Sequence, residues 1–231
     1  MKINVLGSSS SGNCYVVESI YGKLILDAGV KLSTIMRAID WDVESAACLI
    51  THMHSDHCQS AEDLARRNVD VVAGLDVARQ IKGAYELEPM RMDRVGWFNV
   101  VPFDVPHGGT DCYGYYIGDL DGNRLLYATD YEYIPYNFKA RRLTHMIIEC
   151  NYTDREALKQ QEKYEHVARG HAALETARGV VEANMTDALR FVLLCHVSAT
   201  EDAEAMRAQI QALVGEDVTV AVARRGDCYE V

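Results

Sequence analysis

Short apolar runs recur along the chain, each followed by a polar turn or an amphipathic stretch. Residues 2–6 and 14–19 read as strands joined by a Gly/Ser loop, and Lys23–Asp27 as a third strand that ends on a carboxylate. Further strands are expected at 46–50, 69–73, 113–117, 124–129, 145–149 and 191–195, with two more closing the chain. Residues 98–105 read as a strand pair broken by Pro102. The turn Asp119-Leu120-Asp121-Gly122-Asn123 has hairpin chemistry. Helices are expected at 31–40, 60–67, 75–82, 172–184 and 201–213, and the polar stretch 153–168 is helix-prone. Strands alternating with helices, no low-complexity tract and only four prolines predict one α/β domain over residues 1–231.

The strand ends carry the chemistry. Apolar strands finish again and again on a residue that can bind metal: Asp27, His52, His107, Asp130, Glu149 and His196. Strand ends at one edge of a sheet lie close together, so ligands distant in sequence can meet there. The densest case is Thr51-His52-Met53-His54-Ser55-Asp56-His57, which follows the buried run Ala46–Ile50. Imidazoles and a carboxylate delivered to one point form a ligand set for divalent metals. His52, His54 and His107 could hold one ion, Asp56, His57 and His196 a second, and Asp130 could bridge them. Two ions so placed activate a bridging water and clamp the oxygens of an ester. Zn²⁺ and Mn²⁺ both suit these ligands. Asp27 and Glu149 are expected behind them, orienting the histidines.

Bulk properties change this picture little. With 48% hydrophobic and 25% charged residues the composition is that of an ordinary globular protein. No apolar run approaches the roughly 20 residues a membrane span needs. The start at Met1 runs straight into a strand pattern without a signal-peptide core. Seven cysteines without CxxC pairing read as reduced thiols, so a cytoplasmic location is expected. The net charge of −11 argues against a broad basic surface for nucleic acid. Two bound cations would add about four positive charges where a phosphate would sit. Arg66-Arg67, Lys139-Arg141-Arg142 and Arg224-Arg225 are candidates for a path along a nucleic-acid backbone.

With these motifs in hand, the chain resembles the metallo-β-lactamase superfamily over nearly its whole length. Residues 51–57 match the first motif in full, and His107, Asp130 and His196 follow in the order of the later ones. The resemblance implies an αββα sandwich, two mixed sheets flanked by helices, with metals at one edge. Val5–Cys14, Asp27-Ala28-Gly29, Tyr127–Asp130, Ile148–Asn151, Gly170-His171 and Leu194–Ser198 are similar to the YycJ-like (WalJ-like) branch. That branch is associated with exonuclease action on DNA. His171 resembles the extra histidine that nucleases of this superfamily place beside the scissile phosphate. Two stretches depart from the pattern: Ala172–Glu175 replaces the usual Leu-Ser-Asn, and Val197–Thr200 replaces a run that often ends in paired asparagines.

The leading expectation is a dinuclear-metal phosphodiester hydrolase, a nuclease with DNA favoured. In it Asp56 orients the nucleophile and His171 serves the leaving group. The loop Ser9-Ser10-Ser11-Gly12-Asn13 offers hydroxyls and N–H groups as an anion nest for the substrate. A hydrolase of a thioester, lactone or cyclic nucleotide on the same core is the alternative, because fold and ligands do not fix the substrate. A non-catalytic metal-binding module is a third class. Residues beyond a closed ligand set, such as His171, weigh against it.

Overall fold

Strand β12 (Phe191–Cys195) shows how the sequence pattern becomes layers. Phe191, Leu193 and Cys195 pack into the core between two sheets, while Val192 and Leu194 pack beneath helices on the outer face. Both faces are covered, so the run reads as continuously apolar rather than alternating. Burying each large side chain contributes about 1.5–3 kcal/mol. The computed structural model describes residues 1–154 and 169–231.

The first sheet has the order β14-β1-β2-β3-β4-β5-β6. It comprises β1 (Lys2–Gly7), β2 (Cys14–Glu18), β3 (Lys23–Leu26), β4 (Ala46–Ile50), β5 (Asp70–Gly74), β6 (Tyr85–Leu87) and β14 (Cys228–Glu230). The second has the order β13-β12-β11-β10-β9-β8-β7. Besides β12 it contains β7 (Asp93–Val95), β8 (Phe98–Asp104), β9 (Tyr113–Gly118), β10 (Arg124–Ala128), β11 (His145–Glu149) and β13 (Thr219–Val222). Each sheet is antiparallel on one side and parallel on the other. Outside them lie α1 (Leu32–Ala38), α2 (Ser55–Cys58), α3 (Ala61–Ala65), α4 (Leu75–Ala78), α5 (Leu174–Asn184) and α6 (Ala203–Val214). The αββα sandwich of two mixed sheets is therefore present. No described helix is long and apolar enough to cross a membrane.

Three local expectations need correction. Pro102 does not break its strand. β8 runs through it, with Pro102 opposite Tyr115 of β9. The Pro102 carbonyl accepts from Met90 N on the side facing away from β9, beyond the reach of short β7, so no ladder bond needs the missing N–H. The segment after α4 contains two short edge strands, β6 and β7, that no strong alternation announced. Several helices are shorter than their patterns, α4 most clearly. The helix-prone stretch 153–168 lies, from residue 155 on, outside the described residues.

The carboxyl ends of β3, β4, β10, β11 and β12 open on one edge of the sandwich, the position where ligands gather in sheets of this kind.

Candidate metal centre

All seven expected ligands meet at that edge. His52, His54, His107 and Asp130 bring one ligand atom each within 4.8 Å of one another, and so do Asp56, His57 and His196. Asp130 lies between the two sets. Its Oδ2 is 3.9 Å from His52 Nε2 and 4.0 Å from His107 Nε2, while its Oδ1 is 3.4 Å from His57 Nε2. A further group, Asp130, Glu149, His171 and His196, adjoins them.

The local backbone explains how strand ends deliver these side chains. Asp27, Asp130 and His196 each follow a strand and adopt left-handed φ values of 58°, 54° and 49°. That conformation is uncommon away from glycine and turns the chain sharply off the sheet. Gly29 is required for a different reason. A Cβ there would lie 1.6 Å from the carbonyl oxygen of Asp56, so only glycine lets this loop pass beside the histidine motif. The two are joined by the bond from Ala28 N to His57 O, and the neighbouring loop before β2 adds one from Asn13 N to Asp56 O.

Hydrogen bonds behind the ligands fix which ring nitrogen faces inward. His107 Nδ1 is 2.6 Å from the Gly170 carbonyl, which can only accept, so Nδ1 carries the proton and Nε2 presents its lone pair. His57 Nδ1 donates to Asp27 Oδ2 at 2.8 Å. Asp27 also accepts from Thr51 N, Thr51 Oγ1 and Tyr127 Oη, the last at 2.6 Å. Glu149 Oε1 accepts from His171 Nδ1 at 2.7 Å and from His196 Nδ1 at 2.8 Å. Its Oε2 accepts from Tyr131 N and Ala172 N. Asp27 and Glu149 thus anchor histidine rings of the cluster, Glu149 also lying within a ligand-capable group with Asp130, His171 and His196.

The donor set fits divalent cations. His52 Nε2 is buried with no hydrogen-bond partner among the described residues, yet it faces Asp130 and the other imidazoles. His54 Nδ1 and His107 Nε2 approach to 3.2 Å, and the His107 nitrogen is a lone-pair donor. Such inward-facing nitrogens, beside carboxylates and anchored from behind, are what a metal requires.

Charge follows the same geometry. Burial, with His57 beside it, holds His52 well below the ordinary imidazole range, and burial likewise lowers His107. Burial also opposes protonation of His57, but the carboxylates of Asp130 and Asp27 prevail and push it up to about 10. His196 is raised in the same way by Asp130 and Glu149, and His171 by Glu149, in each case against burial. Burial works to raise Asp130 too, yet His196 and His57 hold it well below the usual carboxylate range.

A cleft of about 430 Å³ opens over the cluster, lined by Ser9, Ser10, His54, Asp56, Asp130, Asn151, His171, His196 and Val197–Ala199. Of the expected substrate loop, Ser9 and Ser10 reach it. Ser11 is exposed elsewhere, and Gly12 and Asn13 are buried. The N–H groups of Ser11, Gly12 and Asn13 are spent on Ser9 Oγ, Ser9 O and Asp56 O, which removes them from an anion nest. The Asn13 amide turns inward instead, 3.0 Å from His57 Nε2 and 3.3 Å from Asp56 Oδ2. Several residues of the expected basic path have local partners. Arg66 pairs with Glu62 and Asp63, Arg142 with Asp187 and Arg224 with Glu204, while Arg141 stacks on Tyr116.

The family model for the β-lactamase superfamily domain matches residues 24–197, three quarters of the sequence. The chain belongs to the β-lactamase superfamily. Superfamily membership, fold and cluster together support a metal-dependent hydrolase. Exodeoxyribonuclease WalJ of Streptococcus pneumoniae (strain D39 / NCTC 7466) is 40% identical over 70 residues, which cover 29% of this chain and only 26% of that protein. Among solved structures, the metallo-β-lactamase fold protein YhfI from Bacillus subtilis superposes with a TM-score of 0.77 at 18% identity, covering 99% of this chain and 98% of that one. Zn²⁺-bound PqqB from Methylobacterium extorquens gives 0.74 at 14% identity over the full length of both. Identities this low speak for the fold alone.

Two residues of the motifs noted in the sequence touch the cluster in a way the sequence did not announce. Ser8 accepts from His196 N, and Asn151 donates to His196 O. Ser8 was hidden in a run of four serines. Asn151 lies two positions beyond Glu149, where the strand-end pattern could have pointed to it.

Proposed function

We propose that the protein is a dinuclear-metal-dependent phosphodiester hydrolase, a nuclease acting on DNA. The observation that carries this reading is Asp130. Its two oxygens face two separate groups of imidazoles beneath an open cleft, and His171 stands at the same rim. The partial similarity to an exodeoxyribonuclease supports the choice of substrate.

His52, His54 and His107 would hold one ion and Asp56, His57 and His196 the other, with Asp130 shared. Bound there, two Zn²⁺ or Mn²⁺ ions would activate water and neutralise charge developing on the phosphoryl oxygens. Asp56 reaches the cleft and accepts from Asn13 Nδ2, so its carboxylate is held in place to orient the attacking oxygen. His171 is anchored through Nδ1 on Glu149, and the same carboxylate favours its protonated form. It can therefore supply a proton to the leaving oxygen. Ser9, Ser10 and Ser198 bring hydroxyl groups to the cleft wall for a flanking phosphate.

The test uses purified protein loaded separately with Mn²⁺ and Zn²⁺, and 5′- and 3′-end-labelled single- and double-stranded DNA and RNA. Metal-dependent cleavage, lost in H54A and D130A, is expected, and the ladder gives the polarity. No cleavage by fully metallated protein would transfer the proposal to the second reading, a small-molecule thioester, lactone or cyclic nucleotide. That reading draws on the modest cleft, on the absence of Lys and Arg among its described lining residues, and on the net charge of −11. A chromogenic phosphodiester run beside a thioester separates the two.

A further inference from the structure

His196 is held by more than its ring. Its φ of 49° lies in the left-handed region, where a residue carrying a Cβ is strained and needs its surroundings to keep it. Two side chains grip the main chain on either side of this turn. Ser8 Oγ, from the loop after β1, accepts from His196 N at 3.0 Å. Asn151 Nδ2, from the loop after β11, donates to His196 O at 2.7 Å. The Ser8 hydroxyl is itself aimed by Tyr15, whose buried Oη donates to it at 2.9 Å. The Asn151 main chain is stitched to the same turn, accepting from Ser198 N at 2.9 Å. One more contact completes the arrangement, because Glu149 holds the ring through Nδ1.

We infer that Ser8 and Asn151 are positioning residues that set the metal-binding geometry of His196 by clamping the two peptide groups flanking it. The inference rests on the dinuclear reading above. Ser8 comes from the first sheet and His196 from the second, so the clamp also ties the sheets together where the second ion would sit. Histidine ligands depend on such outer contacts for orientation. Here the contacts act on the backbone, because a left-handed turn without them relaxes and carries the imidazole with it. Among the described residues, no hydrogen bond links His52 or His107 of the other half to Ser8 or Asn151, so that half should respond far less.

The experiment is a Co²⁺ titration of metal-stripped protein, followed by visible absorption, with thermal unfolding of each metal-free variant alongside. Wild type is expected to take up two equivalents. Ser8→Ala and Asn151→Asp, the latter nearly isosteric but without the donating amide, should keep one equivalent at wild-type affinity. Each should bind the second about 10- to 100-fold more weakly. Ser8→Thr, which keeps the hydroxyl, should restore it. Wild-type uptake of both ions by S8A and N151D overturns the clamp, and so does equal weakening of both ions. Uptake of a single equivalent by wild type would instead overturn the dinuclear reading, and the inference with it.

Discussion

The two halves of the cluster are anchored by different chemistry. In the first, His107 leans on the Gly170 carbonyl and His52 on the Thr51 hydroxyl, both neutral groups. In the second, His57 leans on Asp27, and His196 on Glu149 and Asp130, all carboxylates. Burial dominates at His52 and His107 and keeps both neutral, ready to donate lone pairs. Carboxylates dominate the second and keep protons on its imidazoles until something displaces them. On the dinuclear reading, a single fold edge would thus hold one half prepared for a cation and one half that must exchange protons for it.

The largest effect should come from removing what the halves share. Asp130→Asn takes one negative charge from both sides of the cluster while nearly keeping its shape. Hydrolysis should fall to below about one-thousandth of wild type. Metal content by elemental analysis should fall below two equivalents. Retained activity with full metal content would place Asp130 outside the reaction.

Next in size is an attack on one anchor. Asp27 accepts four hydrogen bonds, from Thr51 N, Thr51 Oγ1, His57 Nδ1 and Tyr127 Oη. Asp27→Asn sets an amide donor against these donors. The cost should be about 1.5–3 kcal/mol of stability. Affinity for the second ion should drop about 10- to 100-fold, with the first held as before. Denaturant melts and a Co²⁺ titration would read both effects. Equal loss at the two halves would erase the proposed asymmetry.

The asymmetry also has a pH signature in metal-free protein. The His57 pKa is raised to about 10 from an unfolded value near 6.5, so its stabilisation is complete below about 6.5 and is lost as pH rises through 10. Asp130 and Glu149 are depressed, so their contribution is present above the ordinary carboxylate pKa and is lost as pH falls through their folded values. Burial lowers His52 and His107, so their contribution is lost as pH falls below about 6.5. Stripped protein should thus melt highest near about pH 6.5 and decline on both sides. Loading the second half at neutral pH should release protons, and its affinity should rise up to about tenfold per pH unit for each proton displaced. Calorimetry in buffers of different ionisation enthalpy measures that release. A proton count of zero would contradict the carboxylate-anchored picture.

Much of this was legible in the sequence, and the boundary has a physical cause. His52, His54, Asp56 and His57 announce themselves because imidazoles have little structural use on a buried strand end. His107, Asp130 and His196 follow from the same strand-end rule applied along the chain. Asp27 and Glu149 were legible as carboxylates in like positions. Ser8 was not, because its role lies in one hydroxyl meeting a backbone N–H 188 positions away. The inward turn of Asn13 was hidden for a similar reason: a Gly/Ser loop looks open until its amides are seen to be spent. Pro102 misled because its effect depends on how far the neighbouring strand extends.

The smallest change tests the boundary between the halves most directly. Thr51 Oγ1 donates to Asp27 at 3.0 Å and is 3.0 Å from His52 Nδ1, so it accepts the proton of that ring. This hydroxyl joins the neutral half to the carboxylate of the other. Thr51→Val keeps the shape and removes the link, leaving the buried His52 N–H only the weak acceptor Cys112 Sγ, 3.8 Å away. A buried donor left poorly satisfied costs about 1–3 kcal/mol, and the effect falls mainly on His52, because Asp27 loses one bond but keeps those from Thr51 N, His57 and Tyr127. The first ion should therefore weaken by about tenfold and the second by clearly less, the reverse of Asp27→Asn. If both substitutions weaken the same ion, the Thr51 hydroxyl serves the carboxylate side alone, and the two halves are not anchored independently.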